Sequence, residues 1–169
     1  MRLLLFILIC SWWVTAVRAM DQISSSQKKQ STSDRKLGFG LSMEVLVPND
    51  LTDFQRTVPA MGPIATIPLG KDDIEIHIAY GSAQKISLFL SEVGYRYNVI
   101  TPFIHPYFVG GIGYLHYGYA HNDHNFLTPL TGLGFWFSMT RNFQMNLAMK
   151  IYIPEKTILN FGGTFVYLL

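Results

Sequence analysis

The chain has 169 residues, a single-domain length, with 14 % charged and 14 % aromatic residues and a formal net charge of +2. A soluble domain carries about 25 % charged residues, so this composition argues against a surface fully exposed to water. The weak charge bias excludes a basic nucleic-acid surface, and the single Cys10 excludes a disulfide framework.

Arg2 precedes an apolar run from Leu3 to Ile9, and Val17 and Ala19 occupy small-residue positions ahead of a cleavage point. This pattern predicts a secretory signal over residues 1–19, cut after Ala19. Its loss removes Arg2 and Arg18, leaving 11 basic against 11 acidic residues, and removes the only cysteine. Residues 20–36 are rich in Ser, Gln and Lys without an apolar period, which predicts a flexible polar tail. Lys28, Lys29, Arg35 and Lys36 belong on that reading to a solvated linker.

From residue 37 onward the chain alternates with a period of two, which places one set of side chains on each face of a strand. The first strand, from about 37 to 47, sets Leu37, Phe39, Leu41, Met43, Val45 and Val47 against Gly38, Gly40, Ser42 and Glu44. A polar loop over 48–57 leads to a second strand, 58–69, which carries Pro59, Pro63 and Pro68 and is expected to fray or bulge. The third, 74–80, sets Ile74, Ile76, Ile78 and Tyr80 against Glu75, His77 and Ala79, and a loop over 81–85 follows. The fourth, 86–99, changes phase: Ile86, Leu88 and Leu90 share one parity, and Val93, Tyr95, Tyr97 and Val99 the other. A bulge near Ser91 would put all of these on one face.

The fifth strand, 106–119, contains Phe108, Ile112 and Tyr114 opposite Gly111 and Gly113. A polar outer loop spans about 118–128, and the sixth strand runs over 126–139. Thr140 to Asn142 turns tightly into the seventh, 143–153, the cleanest alternation in the chain. The eighth covers 159–169. Eight strands of bilayer-crossing length, with no helical pattern between them, predict an all-β, eight-stranded antiparallel up-and-down transmembrane barrel over 37–169. Bulky residues fill one face and small ones the other, which points the apolar face to lipid and the small-residue face to a narrow lumen.

Pro106-Tyr107-Phe108-Val109-Gly110-Gly111-Ile112-Gly113-Tyr114 resembles a strand of the OmpA/OmpX-like small outer-membrane barrels. Gly132-Leu133-Gly134-Phe135, followed by Thr140-Arg141-Asn142, resembles the next hairpin of that family. The end, Phe165-Val166-Tyr167-Leu168-Leu169, resembles the C-terminal signal read by the barrel assembly machinery, with Leu169 where that signal usually has Phe. The resemblance implies a bacterial outer-membrane location, contact with membrane lipids and lipopolysaccharide, and a monomer; it is nearly silent on activity.

The lumen face is expected to hold Glu44, Glu75, His77, Glu92, Arg96, Gln144, Asn146, Lys150 and Asn160. Acids and bases confined there should pair, because an unpaired buried charge is costly, so the expected network is structural. Glu75 and His77, two residues apart on one face, are too little for a catalytic constellation. His121, Asp123 and His124 have no evident fourth ligand and read as a solvated loop. No catalytic residue, metal or cofactor is expected.

Strands five to seven, including Thr128-Pro129, also resemble lipid A deacylases. The His-x-Ser motif of those enzymes should follow strand seven, where Tyr152-Ile153-Pro154-Glu155-Lys156 offers neither residue. The expected function is a non-enzymatic envelope protein, with a deacylase-like enzyme or a narrow solute pore as alternatives.

Overall fold

The computed structural model describes residues 36–48, 57–99, 101, 104–119, 122–153 and 157–169. The predicted signal and nearly all of the predicted tail lie outside these residues, as does His121. The regular structure described is entirely strand: β1 Gly38–Pro48, β2 Val58–Leu69, β3 Asp72–Ala83, β4 Ile86–Asn98, β5 His105–Tyr119, β6 Asn122–Ser138, β7 Phe143–Tyr152 and β8 Ile158–Leu168. Each strand pairs antiparallel with the next. Pairing of β1 with β8, from Gly38↔Leu168 to Pro48↔Ile158, closes the sheet into a barrel. Closure satisfies the backbone groups that an open sheet would leave at its edges, the condition for crossing a bilayer with strands.

The finish of β2, β4 and β6 and the start of β3, β5 and β7 lie at one end of the barrel, here called the turn end, together with the start of β1 and the finish of β8. Gly70 takes φ +66° in the β2–β3 turn, a conformation that favours glycine. The opposite strand ends define the other end, here called the loop end. There β5 and β6 pair out to Tyr119↔Asn122, so the hairpin is strand almost to its tip. The expected loop over 118–128 is therefore largely strand, and β3 likewise extends to Ala83. Cross-strand bonding continues wherever partners are available, whatever the polarity of the side chains.

The expected bulge near Ser91 is absent. The register runs without interruption from Asp73↔Arg96 to Ala83↔Ile86 on one side of β4, and from Ile86↔Tyr119 to Asn98↔Tyr107 on the other. The change of phase has another cause. Ile86, Leu88 and Leu90 face the lumen, on the same face as Glu92, Arg96 and Asn98, and all six are buried. The inner face of β4 changes from apolar to polar along its length. β2 keeps one register against β1 from Gly38↔Thr66 to Leu46↔Val58, while its pairing with β3 is interrupted at Gly62 and Pro63 without a change of register. Pro59 and Pro63 point outward.

The outer wall is apolar. Phe39, Leu41 and Met43 of β1, Ile76, Ile78 and Tyr80 of β3, and Ile112 and Tyr114 of β5 are all exposed. The interior has two layers. Toward the loop end, Leu46, Val58, Leu88, Leu90, Leu115 and Ile158 are completely buried and form an apolar plug. Toward the turn end lie Glu44, Glu75, His77, Glu92, Arg96 and Lys150, each no more than 7 % exposed.

Candidate functional site

Five strands supply the charged centre. Glu44 comes from β1, Glu75 and His77 from β3, Glu92 and Arg96 from β4, Lys150 and Tyr152 from β7, and Asn160 from β8. Their parity within each strand points them inward, and barrel closure brings them together.

Lys150 Nζ donates to Glu75 Oε1 at 2.6 Å and also to Glu92 Oε1. Arg96 Nη2 donates to Glu75 Oε2 at 2.5 Å, so Glu75 lies between two permanent cations. Tyr152 Oη donates to Glu92 Oε2 at 2.5 Å. Asn160 Nδ2 donates to Glu44 Oε2 and, at 3.1 Å, to Tyr152 Oη. The guanidinium of Arg96 lies over the Tyr107 ring, 4.5 Å from its centroid. Gly134 makes room for that ring: a Cβ there would come within 2.7 Å of Tyr107 Cζ. Nearer the turn end, Asn98 receives Trp136 Nε1 at 3.1 Å and donates to Asp73 Oδ2 at 2.7 Å.

His77 joins β1 to β4. Its Nδ1 lies 3.2 Å from Glu92 Oε1, and its Nε2 lies 2.5 Å from Ser42 Oγ. A carboxylate only accepts, so Glu92 holds the ring proton on Nδ1 and leaves Nε2 toward the hydroxyl. The order Ser42–His77–Glu92 has the form of a nucleophile, a base and an orienting acid. No local pattern signals this set, because Ser42 is 35 positions from His77. Parity placed Ser42 on the lumen face, but only the register brings it to the imidazole.

Space decides what the set can do. The cavity beside Ser42 has a volume of about 20 Å³, lined among others by Glu44, His77, Lys150, Asn160 and Thr164. A single water needs ~10–15 Å³, so an acyl group does not fit. Ser42 Oγ also lies 3.0 Å from the Gly62 carbonyl oxygen, which competes for its proton. A fluorophosphonate probe is therefore expected to leave Ser42 unmodified in the folded barrel, as mass spectrometry of the treated protein would read.

Of the expected lumen residues, Glu44, Glu75, His77, Glu92, Arg96, Lys150 and Asn160 join one network. Asn146 is buried near it, with Oδ1 unpaired among the described residues. Gln144 is only half-buried, near the turn end of β7, and stands apart from the network. Sequence reasoning missed Ser42, Tyr107 and Tyr152, whose types fit an outer wall or a bland interior equally well. Asp123 is exposed on the extended hairpin, and His124 packs in a three-ring cluster with Tyr117 and Phe126 rather than lying in a solvated loop, with centroids 4.9 Å and 6.4 Å away. No metal-binding group of three or more His, Cys, Asp or Glu side chains occurs among the described residues.

An apolar outer wall around a charged, closed interior defines the class: this is a small eight-stranded barrel of the kind found in outer membranes. No protein-family model matches the chain, and no curated protein matches it significantly. Solved structures do. The Neisserial surface protein A superposes with a TM-score of 0.60 at 7 % identity, covering 79 % of this chain and 96 % of that one. The N-terminal barrel domain of Pseudomonas aeruginosa OprF gives 0.57 at 14 % identity, covering 79 % and 100 %. The attachment invasion locus protein Ail of Yersinia pestis gives 0.55 at 9 % identity, covering 79 % and 97 %. The fold expected from the resemblance to OmpA/OmpX-like barrels is thus the fold observed.

Proposed function

We propose that this protein is a non-enzymatic barrel of the bacterial outer membrane, with a permanently closed lumen and a structural or surface-contact role. The supporting observation is the inverted distribution of polarity. Phe39, Met43, Ile112 and Leu133 stand on the outer wall, 49–58 % exposed, while Glu44, Asp73, Glu75, His77, Glu92, Arg96 and Lys150 are shut inside. In water this arrangement would expose a broad oily surface and bury its charges, both unfavourable; in a bilayer the wall meets acyl chains.

The two interior layers favour closure over conduction. An ion crossing the lumen would have to pass the apolar plug of Leu46, Leu88, Leu90 and Leu115, which offers no groups to replace its hydration. The small cavity argues against a lipid A deacylase, because acyl-ester hydrolysis needs room for an acyl chain beside the nucleophile. Contact with partners then falls to the loop end, where the β5–β6 ribbon extends beyond the finish of β7. The lipid environment would include lipopolysaccharide, and the C-terminal strand would be read by the barrel assembly machinery. A monomer suits a barrel whose wall is already closed.

Two measurements test this reading. In outer-membrane fractions the protein should migrate as a compact band in detergent gels and shift on boiling. In planar bilayers the purified barrel should give no single-channel current. A soluble periplasmic protein without the shift would overturn the location, and steady conductance would overturn the closed lumen. Loss of one acyl chain from lipid A on expression would overturn the non-enzymatic role.

A further inference from the structure

The outer wall is dented on one side. Across β6, β7, β8 and β1 the register sets Phe135, Leu147, Gly163 and Met43 in one outward row. Phe135, Leu147 and Met43 are bulky and 36–55 % exposed. Gly163 has no side chain, so the row opens there into a groove of about 450 Å³, walled also by Leu133 and Phe161 and by no polar side chain. A Cβ at Gly163 would meet nothing nearer than Leu147 Cδ2, at 3.3 Å, so close backbone packing does not demand glycine at this position.

The same strands end in cations. Arg141, in the turn between β6 and β7, and Lys36, just ahead of β1, are exposed, and neither forms an ion pair with a described residue. Backbone bonds bring both to the finish of β8: Leu168 N–H donates to the Asn142 carbonyl at 2.8 Å, and Leu169 N–H to the Leu37 carbonyl at 3.0 Å. The β6–β7 turn, β7 and β8 carry no acidic residue. Between cations and groove stand Phe143 and Tyr167, edge to face at 5.9 Å, with Tyr167 Oη accepting from Asn142 Nδ2 at 3.4 Å. Aromatic rings with a polar tip mark a lipid–water boundary. From Arg141 to Leu147 the chain covers about 20 Å at ~3.3 Å per residue, which a strand tilt of ~40° reduces to about 15 Å of depth. Half of a bilayer's hydrocarbon core is also about 15 Å.

We propose that this face binds one anionic phospholipid, with its phosphate at Arg141 and Lys36 and an acyl chain laid along β7 and β8 into the groove at Gly163. The site rests on the outer-membrane placement proposed above and adds to it a lipid class and a position. The groove is continuous with the wall that meets acyl chains, and its lining is purely apolar. The cations select the head, because a phosphate accepts paired hydrogen bonds from a guanidinium. A second barrel docked through the same face around a two-fold axis would instead bring like charges together.

The test is native mass spectrometry of the full-length protein, refolded in mild detergent with equal amounts of phosphatidylglycerol and phosphatidylcholine of one chain length. One lipid per barrel should be retained, with phosphatidylglycerol favoured about five-fold. Arg141→Gln should bring that ratio close to one. Gly163→Leu, which fills the groove, should remove most of the retained lipid of either kind. If Gly163→Leu fails to fold, Gly163→Ala should still lower the retained fraction. The shift on boiling is read on every sample. A shifted band that retains no lipid overturns the site and leaves the outer-membrane reading standing; a chain that forms no barrel in detergent overturns both. Equal retention of the two lipids, or retention unchanged in Gly163→Leu, would also overturn the site. So would a lipid-free dimer, which would mean that a second copy covers the groove.

Discussion

Lys150→Met is expected to destabilise the barrel by about 3–5 kcal/mol, the cost of leaving buried carboxylates without their cation. Lys150 Nζ is the only group that donates to both Glu75 and Glu92 among the described residues, and it is nearly fully buried. Arg96 still holds Glu75 after the change. Glu92 keeps Tyr152 and His77 but loses its permanent positive partner. Urea unfolding in lipid vesicles, followed through the fluorescence of Trp136, reads the effect. This is the only tryptophan beyond the predicted signal, and it is hydrogen-bonded to Asn98 in the interior. Adding Glu92→Gln should recover part of the loss by removing the orphaned charge. An unchanged midpoint for Lys150→Met would mean that water reaches these carboxylates freely.

The second large effect is expected on the opposite face. Ile112→Arg should cost about 2–4 kcal/mol if the side chain meets the bilayer midplane. Ile112 is 58 % exposed and sits midway along β5, opposite Val93 and Pro129. On a water-facing sheet the same change would fall within about 0.5 kcal/mol. The contrast separates a membrane barrel from a soluble one without reference to similarity. Refolding into vesicles at graded urea concentrations measures it, with Ile112→Val as the control. A neutral outcome for Ile112→Arg would refute the membrane location while leaving the fold intact.

The two effects come from opposite sides of one thin wall. Each strand donates alternate residues to lipid and to the lumen, so neighbouring positions face opposite demands. Gly111 illustrates how little space separates adjacent strands: a Cβ there would run into the Val93 carbonyl oxygen.

The sequence by itself determined the number of strands, most of their limits and the outward belt of β1, β3 and β7. Local alternation carries that information, because a period of two depends only on neighbours in the chain. It also assigned Glu44, Glu75, His77, Glu92, Arg96 and Lys150 to one side of the wall. It misread Ile86, Leu88 and Leu90, because alternation gives parity and not direction. When a strand's inner face is apolar at one end and charged at the other, hydrophobicity alone suggests a bulge that is not there. Only the tertiary structure decided which inner residues share a level. Pairing of β1 with β8 sets that level, and the same closure brings Lys150 to Glu75 across 75 positions of chain. The apolar plug and the Ser42–His77–Glu92 relay both depend on this closure, because each joins side chains from strands that no local pattern relates.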